Sequence, residues 1–245
     1  MSQVTNLISN ISNLKSTYAI IVAGGSGTRM GSAVPKQFLS INGLPILMHS
    51  LHAFYNSAAK PQLILALHTD FHDYWKQLCN THNFDIPHIL VKGGETRFHS
   101  VKAAFETIGD TNSVIAVHDA VRPLISSSLI DAVYQQAAEK SNAIVAVKSR
   151  DSVRQLKGDT SLALKRDDIY LVQTPQTFKY AQLKAAYLQE YNDAFTDDAS
   201  VVESAGFNIH LIEGDHQNIK ITFPEDIAIA ELVLKSRGVT GFKDF

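Results

Sequence analysis

Short apolar runs alternate with longer stretches of helical period along most of the chain. The apolar runs predict buried strands at Tyr18–Ala23, Leu63–Leu67, His88–Val91, Val114–Val117 and Ala143–Val147. Strands that are apolar throughout are typical of a parallel sheet that is covered on both faces. We therefore predict an α/β fold, with a mostly parallel Rossmann-like sheet and helices on both of its faces.

Stretches of helical period separate the predicted strands. They predict helices at Leu44–Asn56, Asp70–His82, Val101–Ile108, Leu129–Ala137, Tyr180–Tyr191 and Asp198–Ser204. A strand over Asn208–Ile212 precedes a last helix, which opens at Thr222–Glu225 with the spacing of a capping box. In parallel sheets, ligands bind at the carboxyl ends of the strands, so we expect a functional site there.

The stretch Lys148–Arg166 breaks this pattern because it is polar and alternating, with Gly158-Asp159 as a plausible turn. Two interpretations remain open, an extended hairpin arm that packs on a second subunit and an exposed loop. We treat residues 1–245 as a single domain that contains this segment, because α/β domains often reach about 250 residues.

Composition excludes several classes of function. The 245 residues carry a formal net charge of −2, so the chain lacks the basic field that a nucleic-acid partner requires. No apolar run approaches the roughly 20 residues that span a bilayer, so no membrane association is expected. The first sixteen residues lack the features of a signal peptide, and a lone Cys79 permits no intrachain disulfide. These features favour the cytoplasm.

A glycine-rich loop follows the first predicted strand directly. In the loop Ala23–Gly31 (AGGSGTRMG), three glycines within the four positions 24–27 let backbone amides face an anion, and Arg29 and Lys36 lie in or just after the loop. The dinucleotide fingerprint fails because Met30 stands where its last glycine belongs, and the P-loop sequence is absent. Taken alone, the loop is equally compatible with a plain glycine turn after a strand.

The longer segment Ala23–Leu39 (AGGSGTRMGSAVPKQFL) resembles the signature of sugar-phosphate nucleotidyltransferases, and most closely that of the methylerythritol phosphate cytidylyltransferase family. In that signature an arginine in the loop is followed seven residues later by a lysine, which Arg29 and Lys36 match. Pro35 restricts the backbone before Lys36 and would hold its side chain in a defined direction.

Further segments resemble the same family in the same order. They are Gly93–Ser100 (GGETRFHS), Val117–Pro123 (VHDAVRP), Arg150–Ser152 with Arg166, Thr174–Gln176 (TPQ), Thr196–Ser200 (TDDAS) and Asn218–Asp226 (NIKITFPED). The resemblance extends from about residue 18 to residue 236. Some positions depart from the family pattern: Glu95 stands where Asp is common, Ser152 replaces a threonine, and Gln217 stands where some members have Asp.

The resemblance implies which residues form the site. The nucleotide CTP would be bound by Ala23, Gly24, Gly25, Ser26, Gly27, Gly94, Glu95, Ser100 and Ala120. A polyol phosphate acceptor would be bound by Asp119, Arg122, Ser152, Arg166, Thr174, Thr196 and Lys220. The catalytic residues would be Arg29, Lys36, Arg166 and Lys220. Asp119 is the expected Mg²⁺ ligand, since Mg²⁺ uses one or two carboxylates together with substrate phosphates. His118 alone is more typical of a packed, hydrogen-bonded histidine than of a base.

The implied reaction is attack of the acceptor phosphate on the α-phosphorus of CTP, with release of pyrophosphate, in a homodimer whose arms complete the sites. The phosphate nucleophile is ionised at pH 7 and needs no general base, in keeping with the lack of a Ser-His-Asp pattern. The acceptor expected for the family is 2-C-methyl-D-erythritol 4-phosphate, in the non-mevalonate route to isoprenoid precursors. The alternatives are a ribitol 5-phosphate cytidylyltransferase, a nucleotide-dependent oxidoreductase and a noncatalytic nucleotide-binding module.

Overall fold

The computed structural model of the protein describes residues 16–24 and 34–239. The strands, in chain order, are β1 (Thr17–Val22), β2 (Ser40–Ile41), β3 (Leu44–Pro45), β4 (Gln62–Leu67), β5 (His88–Lys92), β6 (Val114–Asp119), β7 (Asn142–Lys148), β8 (Arg154–Lys157), β9 (Thr160–Ala163), β10 (Tyr170–Lys179) and β11 (Leu211–Glu213). The α-helices of these residues are α1 (Ile46–Tyr55), α2 (His72–Thr81), α3 (Arg97–Phe105), α4 (Ser127–Lys140), α5 (Tyr180–Tyr187), α6 (Asp198–Ser204) and α7 (Glu225–Ser236). None of these helices is long and apolar enough to cross a membrane.

The main sheet has the strand order β11-β7-β10-β6-β1-β4-β5. The pairs β1/β4, β1/β6, β4/β5 and β7/β11 are parallel, whereas β10 is antiparallel to both β6 and β7. The predicted mostly parallel α/β sheet is therefore confirmed. The ends of β1 and β6 coincide, because Val22 is in register with Asp119, and the first turn after each strand lies at the same edge of the sheet.

Helices cover both faces of the sheet, as the apolar strands predicted. On one face, Ile21 and its neighbours pack with α1, α2 and α4, where Trp75 and Tyr134 are fully buried. On the other face, Ile20 packs with α3, α5 and α6, including Phe98. Successive strand residues point to opposite faces, so a strand between two helical layers must be apolar at every position.

Several predicted bounds are wrong at their ends. The helix predicted to reach Ile108 ends at Phe105, and the helix predicted to reach Tyr191 ends at Tyr187. The strand predicted at Asn208–Ile212 begins at Leu211 and extends to Glu213. Ile108 beyond α3 is buried, and Ile209 before β11 packs against the core, so the apolar pattern continues past the hydrogen-bonded segment in these two cases. Tyr191 is 40% exposed, so its place in the helical period did not reflect burial.

The capping box predicted at Thr222–Glu225 is also wrong. The Thr222 hydroxyl donates to the Lys220 carbonyl oxygen, and the Asp226 carboxylate accepts from the backbone N–H groups of Thr222 and Phe223 at 2.7 and 2.8 Å. A carboxylate in the first turn of α7 thus satisfies the amides that precede the helix. Asp226 thus caps the start of the helix in place of the side chains of Thr222 and Glu225, to which the predicted capping box had assigned that role.

The segment Lys148–Arg166 contains an antiparallel hairpin, β8 and β9, joined at Gly158-Asp159. Gly158 adopts a φ of +59°, the left-handed conformation that a tight turn favours. Every residue of both strands is exposed, and the Leu156 side chain is 80% exposed. Leu162 on β9 is 52% exposed, so each strand of the hairpin carries one exposed leucine.

Candidate active site

Two adjoining cavities lie at the edge of the sheet where β1 and β6 end. The first has a volume of about 220 Å³ and is lined by residues that follow β1 and β5, including Ala23, Gly24, Lys36 and Glu95. The second has a volume of about 240 Å³ and is lined by Arg122, Thr174, Thr196 and their neighbours. Among the residues that the structure describes, the charged ones that line both cavities are Arg97, Asp119 and Lys220.

Lys36 is held in the wall of the first cavity. It belongs to the short 3₁₀ segment Lys36–Phe38, is buried, and donates from Nζ to the Ile221 carbonyl oxygen at 3.1 Å. The next residue, Gln37, donates from Nε2 to the Ala23 carbonyl oxygen at 2.8 Å and so ties this segment to the end of β1. The ammonium group therefore has a fixed position beside the start of the glycine loop.

Four further predicted residues of the nucleotide loop lie outside the described residues, namely Arg29, Gly25, Ser26 and Gly27. Ala23 and Gly24 line the first cavity as predicted for the CTP side. Ala120 is buried behind the cavity, and its N–H donates to the Val22 carbonyl oxygen at 3.0 Å. It joins the ends of β1 and β6 without lining the cavity.

The turn after β5 is shaped by Ser100. Its hydroxyl oxygen accepts from the Gly94 N–H at 3.0 Å, and the hydroxyl donates to the Thr96 carbonyl oxygen at 2.9 Å. A Cβ on Gly94 would overlap the Cβ of His99, so only glycine fits there. Gly94 and Ser100 thus set the path of the turn, while Glu95 lines the cavity.

Asp119 is surrounded by cations at the junction of the two cavities. Its Oδ1 lies 3.3 Å from Arg97 Nε, and its Oδ2 lies 2.7 Å from Lys220 Nζ and 3.9 Å from Arg122 Nε. Burial alone would raise the pKa of Asp119, but Arg97, Lys220 and Arg122 outweigh burial and lower that pKa well below its usual range. Asp119 is therefore a carboxylate anion whenever the protein is folded near neutral pH.

The second cavity brings together the acceptor residues predicted within one subunit, Asp119, Arg122, Thr174, Thr196 and Lys220. Strand β10 shifts its register with β7 between Val172 and Gln176, and Thr174 lies in that irregular stretch. Such irregularities re-aim side chains beside active sites. Here the Thr174 hydroxyl oxygen accepts from the Asp119 N–H at 3.1 Å.

The remaining two predicted acceptor residues, Ser152 and Arg166, do not join either cavity. Both are exposed on the hairpin segment, and Arg166 Nη1 lies 3.4 Å from the Arg150 carbonyl oxygen. The second cavity of this chain is thus built without the groups that the segment carries.

Sequence reasoning missed Gln37, Arg97, Gln176 and Asp198. Gln176 donates to Asp197 Oδ2 at 2.8 Å and accepts from the Ala199 N–H at 2.8 Å, which anchors the start of α6 beside Thr196. All four lie inside the motifs that pointed to the site, and that membership is the signal that could have identified them. Gln37, Gln176 and Asp198 are buried, and buried polar side chains need specific partners.

His118 is a neutral structural histidine beneath the site. Its Nε2 faces the Arg122 carbonyl oxygen at 3.1 Å, so Nε2 carries the proton and Nδ1 accepts from the Thr174 hydroxyl, also at 3.1 Å. Burial lowers the pKa of His118 from 6.5 to about 4, and the nearby Asp119 only partly offsets this. His118 is therefore uncharged at neutral pH and holds Thr174 in place.

This lowered pKa predicts a pH dependence of stability. The unfolded chain takes up a proton on His118 below about pH 6.5 while the folded protein does not, so stability falls as the pH is lowered through the window from about 6.5 to 4. From pH 7 to pH 5 the wild type should lose about 2 kcal/mol more unfolding free energy than His118→Asn. Urea unfolding at both pH values measures this difference. Replacing the exposed His216 with asparagine should leave the wild-type difference unchanged, and an equal loss in His118→Asn and wild type would contradict the assignment.

Within the described residues, no group of three or more His, Cys, Asp or Glu side chains could hold a metal ion. Asp119 and Glu95 are the carboxylates that line the first cavity. A divalent cation at this junction would accordingly need most of its oxygen ligands from a bound substrate.

Comparison with known proteins gives a consistent result. Residues 17–236 match the family model described as IspD, 2-C-methyl-D-erythritol 4-phosphate cytidylyltransferase. The enzyme of that name from Bacteroides fragilis is 46% identical over 216 residues, which is 88% of this chain and 98% of the relative. The one from Porphyromonas gingivalis is 44% identical over 220 residues, which is 89% of this chain and 98% of the relative.

Solved structures are similar as well. The chain resembles the crystal structure of the Anaerococcus prevotii 4-diphosphocytidyl-2C-methyl-D-erythritol synthase with a TM-score of 0.77 and 28% identity, covering 94% of this chain and 99% of that one. It resembles the Francisella tularensis 2-C-methyl-D-erythritol 4-phosphate cytidylyltransferase with a TM-score of 0.74 and 32% identity, covering 90% of this chain and 100% of that one.

Proposed function

The chain belongs to the 2-C-methyl-D-erythritol 4-phosphate cytidylyltransferase family, and we propose that its two adjoining cavities are where CTP and the acceptor phosphate meet. It is a CTP-dependent cytidylyltransferase of the non-mevalonate route to isoprenoid precursors, which transfers CMP to 2-C-methyl-D-erythritol 4-phosphate and releases pyrophosphate. The observation that supports our choice of site is that Asp119 and Lys220 line both cavities. Two bound substrates would therefore touch at this junction.

The first cavity suits the triphosphate of CTP. Lys36 supplies a fixed ammonium group at its wall. We expect the glycine loop, which begins at Gly24 and lies mostly outside the described residues, to add backbone amides and Arg29, as its sequence predicts. Charge grows on the α-phosphoryl group and on the departing pyrophosphate during transfer. We assign Arg29 and Lys36 to the stabilisation of that charge, because preorganised cations need no reorganisation at the moment of reaction.

The second cavity suits the acceptor phosphate. Arg122 lines this cavity, and its Nη1 is held by donation to the Asn218 carbonyl oxygen at 2.8 Å, so its guanidinium places a fixed positive charge beside a bound phosphate. Lys220, with a side chain 41% exposed, can turn from Asp119 toward an incoming phosphate. A phosphate monoester is mostly ionised at pH 7, so positioning and charge neutralisation replace a general base.

Mg²⁺ fits this junction through Asp119. One carboxylate at the shared wall, together with CTP phosphate oxygens, gives the donor set that Mg²⁺ takes in nucleotide enzymes. When bound, Mg²⁺ would neutralise phosphate charge and favour in-line geometry. Movement of Lys220 toward the acceptor would free Asp119 Oδ2 for this role.

The hairpin β8–β9 is our proposed dimerisation arm, and the active form is a homodimer. Leu156 and Leu162 are exposed on the arm, while Ser152 and Arg166 at its base line neither cavity of their own chain. In the homodimer, Arg166 of the partner subunit would join Lys220 at the acceptor phosphate. Because its substrate CTP is a cellular nucleotide, we place the enzyme in the cytoplasm.

The choice of acceptor is tested by measuring pyrophosphate release with CTP, Mg²⁺ and a panel of polyol phosphates. We expect kcat/KM for 2-C-methyl-D-erythritol 4-phosphate to exceed that for ribitol 5-phosphate by at least about tenfold, because a shaped polar pocket penalises an acceptor of different branching. Parallel reactions with EDTA should release no pyrophosphate. Faster turnover of ribitol 5-phosphate would contradict the acceptor assignment, and CTP binding without turnover of any acceptor would contradict catalysis.

A further inference from the structure

Arg97 spans two carboxylates beneath the junction of the cavities. It is the first residue of α3, and its Nη2 lies 2.6 Å from Asp198 Oδ2 while its Nε lies 3.3 Å from Asp119 Oδ1. Asp198 is fully buried, and its other oxygen accepts from the Tyr187 hydroxyl at 2.6 Å. Both oxygens of Asp198 are thus engaged, one by Arg97 and one by Tyr187.

We propose that Arg97 is a positioning residue, anchored by Asp198 and Tyr187, that fixes the Asp119 carboxylate between the nucleotide and acceptor cavities. The inference rests on the proposed function, because it assumes that substrates occupy both cavities. It assigns a purpose to a buried carboxylate and phenol that lie outside the proposed substrate contacts.

The geometry separates Arg97 from the other cations around Asp119. Lys220 is 41% exposed and extends over the cavities, so a substrate phosphate can draw it away from Asp119. The side chain of Arg97 is 27% exposed and is held from behind by Asp198. When Lys220 turns to a phosphate, Arg97 still holds Asp119 Oδ1, and the carboxylate keeps its direction.

The positive charge of Arg97 is balanced by the two carboxylates that it contacts. Burial alone would lower the pKa of Arg97, but Asp198 and Asp119 outweigh burial and raise that pKa, so the guanidinium is always charged. Asp198 neutralises this charge from the side away from the cavities. Arg97 lines both cavities, but these two carboxylates restrain it. It therefore stays paired with Asp119 and does not leave Asp119 to bind a substrate phosphate.

A purely structural role would not require this arrangement. Replacing a buried ion pair with apolar side chains of similar volume is often neutral or stabilising, so stability alone is a weak reason for burying Arg97 against Asp198. A planar guanidinium with five donors can reach two carboxylates in fixed directions, whereas an ammonium group cannot hold both in the same way. Arg97→Lys therefore keeps the charge and removes the bridge.

The test compares Arg97→Lys with Arg237→Lys. Arg237 is a matched control, because its side chain is 28% exposed, pairs with Asp215 at 3.0 Å, and lines neither cavity. We expect Arg97→Lys to lower kcat by about 10²-fold, since a small displacement of a group at the reacting centre has effects of this size. Its Kd for CTP, measured by calorimetry, should change by less than about threefold because Lys36 and the glycine loop are unaltered. Arg237→Lys should retain wild-type kcat.

Asp198→Asn provides a second, isosteric variant in case Arg97→Lys folds poorly. It removes the anchor's charge while Tyr187 can still form a hydrogen bond, and we expect a similar loss in kcat with CTP binding retained. The inference is overturned if Arg97→Lys keeps kcat within about twofold of wild type, or if its kcat, CTP affinity and melting temperature fall together. If the wild type transfers no CMP to any acceptor, the proposed function itself is wrong. If the wild type is active and both variants keep its kcat, only the positioning role of Arg97 is rejected.

Discussion

Replacing Lys36 with alanine is expected to lower kcat for cytidylyl transfer by about 10²–10³-fold, which corresponds to roughly 3–4 kcal/mol of transition-state stabilisation. Lys36 is buried in the wall of the nucleotide cavity, and its ammonium group is held near the Ile221 carbonyl. A cation fixed in this way stabilises charge that develops during transfer. The effect should therefore be larger on kcat than on KM for CTP. Steady-state pyrophosphate release measures both parameters.

The surroundings of Lys36 explain why the loss should be large. Gln37 fastens the same segment to the end of β1 through the Ala23 carbonyl, so the lysine does not have to be ordered when CTP binds. The entropy of positioning is already lost in folding, and the substrate gains the full interaction. A lysine on an exposed helix would lose most of this advantage to side-chain freedom.

Two variants separate the electrostatic effect from packing. Lys36→Met keeps the aliphatic stem and should lose kcat as severely as Lys36→Ala. Lys76→Ala alters an exposed lysine that pairs with Asp73 on α2, and should keep kcat within about twofold of wild type. A near-normal kcat for Lys36→Ala, or a full recovery in Lys36→Met, would contradict the assignment of Lys36 to the transition state.

The fold could be predicted from the sequence wherever a strand is apolar at nearly every position. Strands β1, β4, β6 and β7 are apolar on both faces, and two helical layers explain that composition. Strand β10 was missed although it lies between β6 and β7. Gln173, Thr174 and Gln176 interrupt its apolar run, and each is buried with hydrogen-bond partners that no local pattern shows.

The site was predictable to the extent that its residues lie in short motifs at strand ends. Asp119 follows from such a motif, because it ends a fully buried strand at the edge where ligands bind. The role of Arg97 could not be predicted from its motif, because that role depends on Asp198, which lies 101 residues away in the chain. Tertiary partners of this kind are created by the fold and leave no spacing in the sequence.

The hairpin arm leads to the second large effect that we expect, which is recovery of activity between two inactive proteins. Arg166 and Ser152 lie at the base of the arm and line neither cavity of their own chain, while Lys36 and Lys220 line the nucleotide cavity of theirs. If the arm reaches the partner, every site combines Lys36 of one subunit with Arg166 of the partner subunit. The two substitutions, Lys36→Ala and Arg166→Ala, then remove residues that different subunits contribute to the same site.

Mixing equal amounts of Lys36→Ala and Arg166→Ala should therefore restore about a quarter of wild-type activity, because roughly half of freely exchanged dimers are hybrids and one site in each hybrid is intact. Each parent protein alone should be nearly inactive. Native mass spectrometry establishes that the subunits have exchanged, and pyrophosphate release measures the recovery.

The matched control is a mixture of Lys36→Ala with Lys220→Ala. These two lysines line the same cavity of one chain, so every site in every hybrid lacks one of them and no activity should return. This contrast depends only on which chain supplies each cation, and not on how strongly any single substitution weakens binding. If hybrids form and the mixture with Arg166→Ala remains as inactive as this control, Arg166 acts within its own subunit, and the exposed leucines of the arm need another explanation.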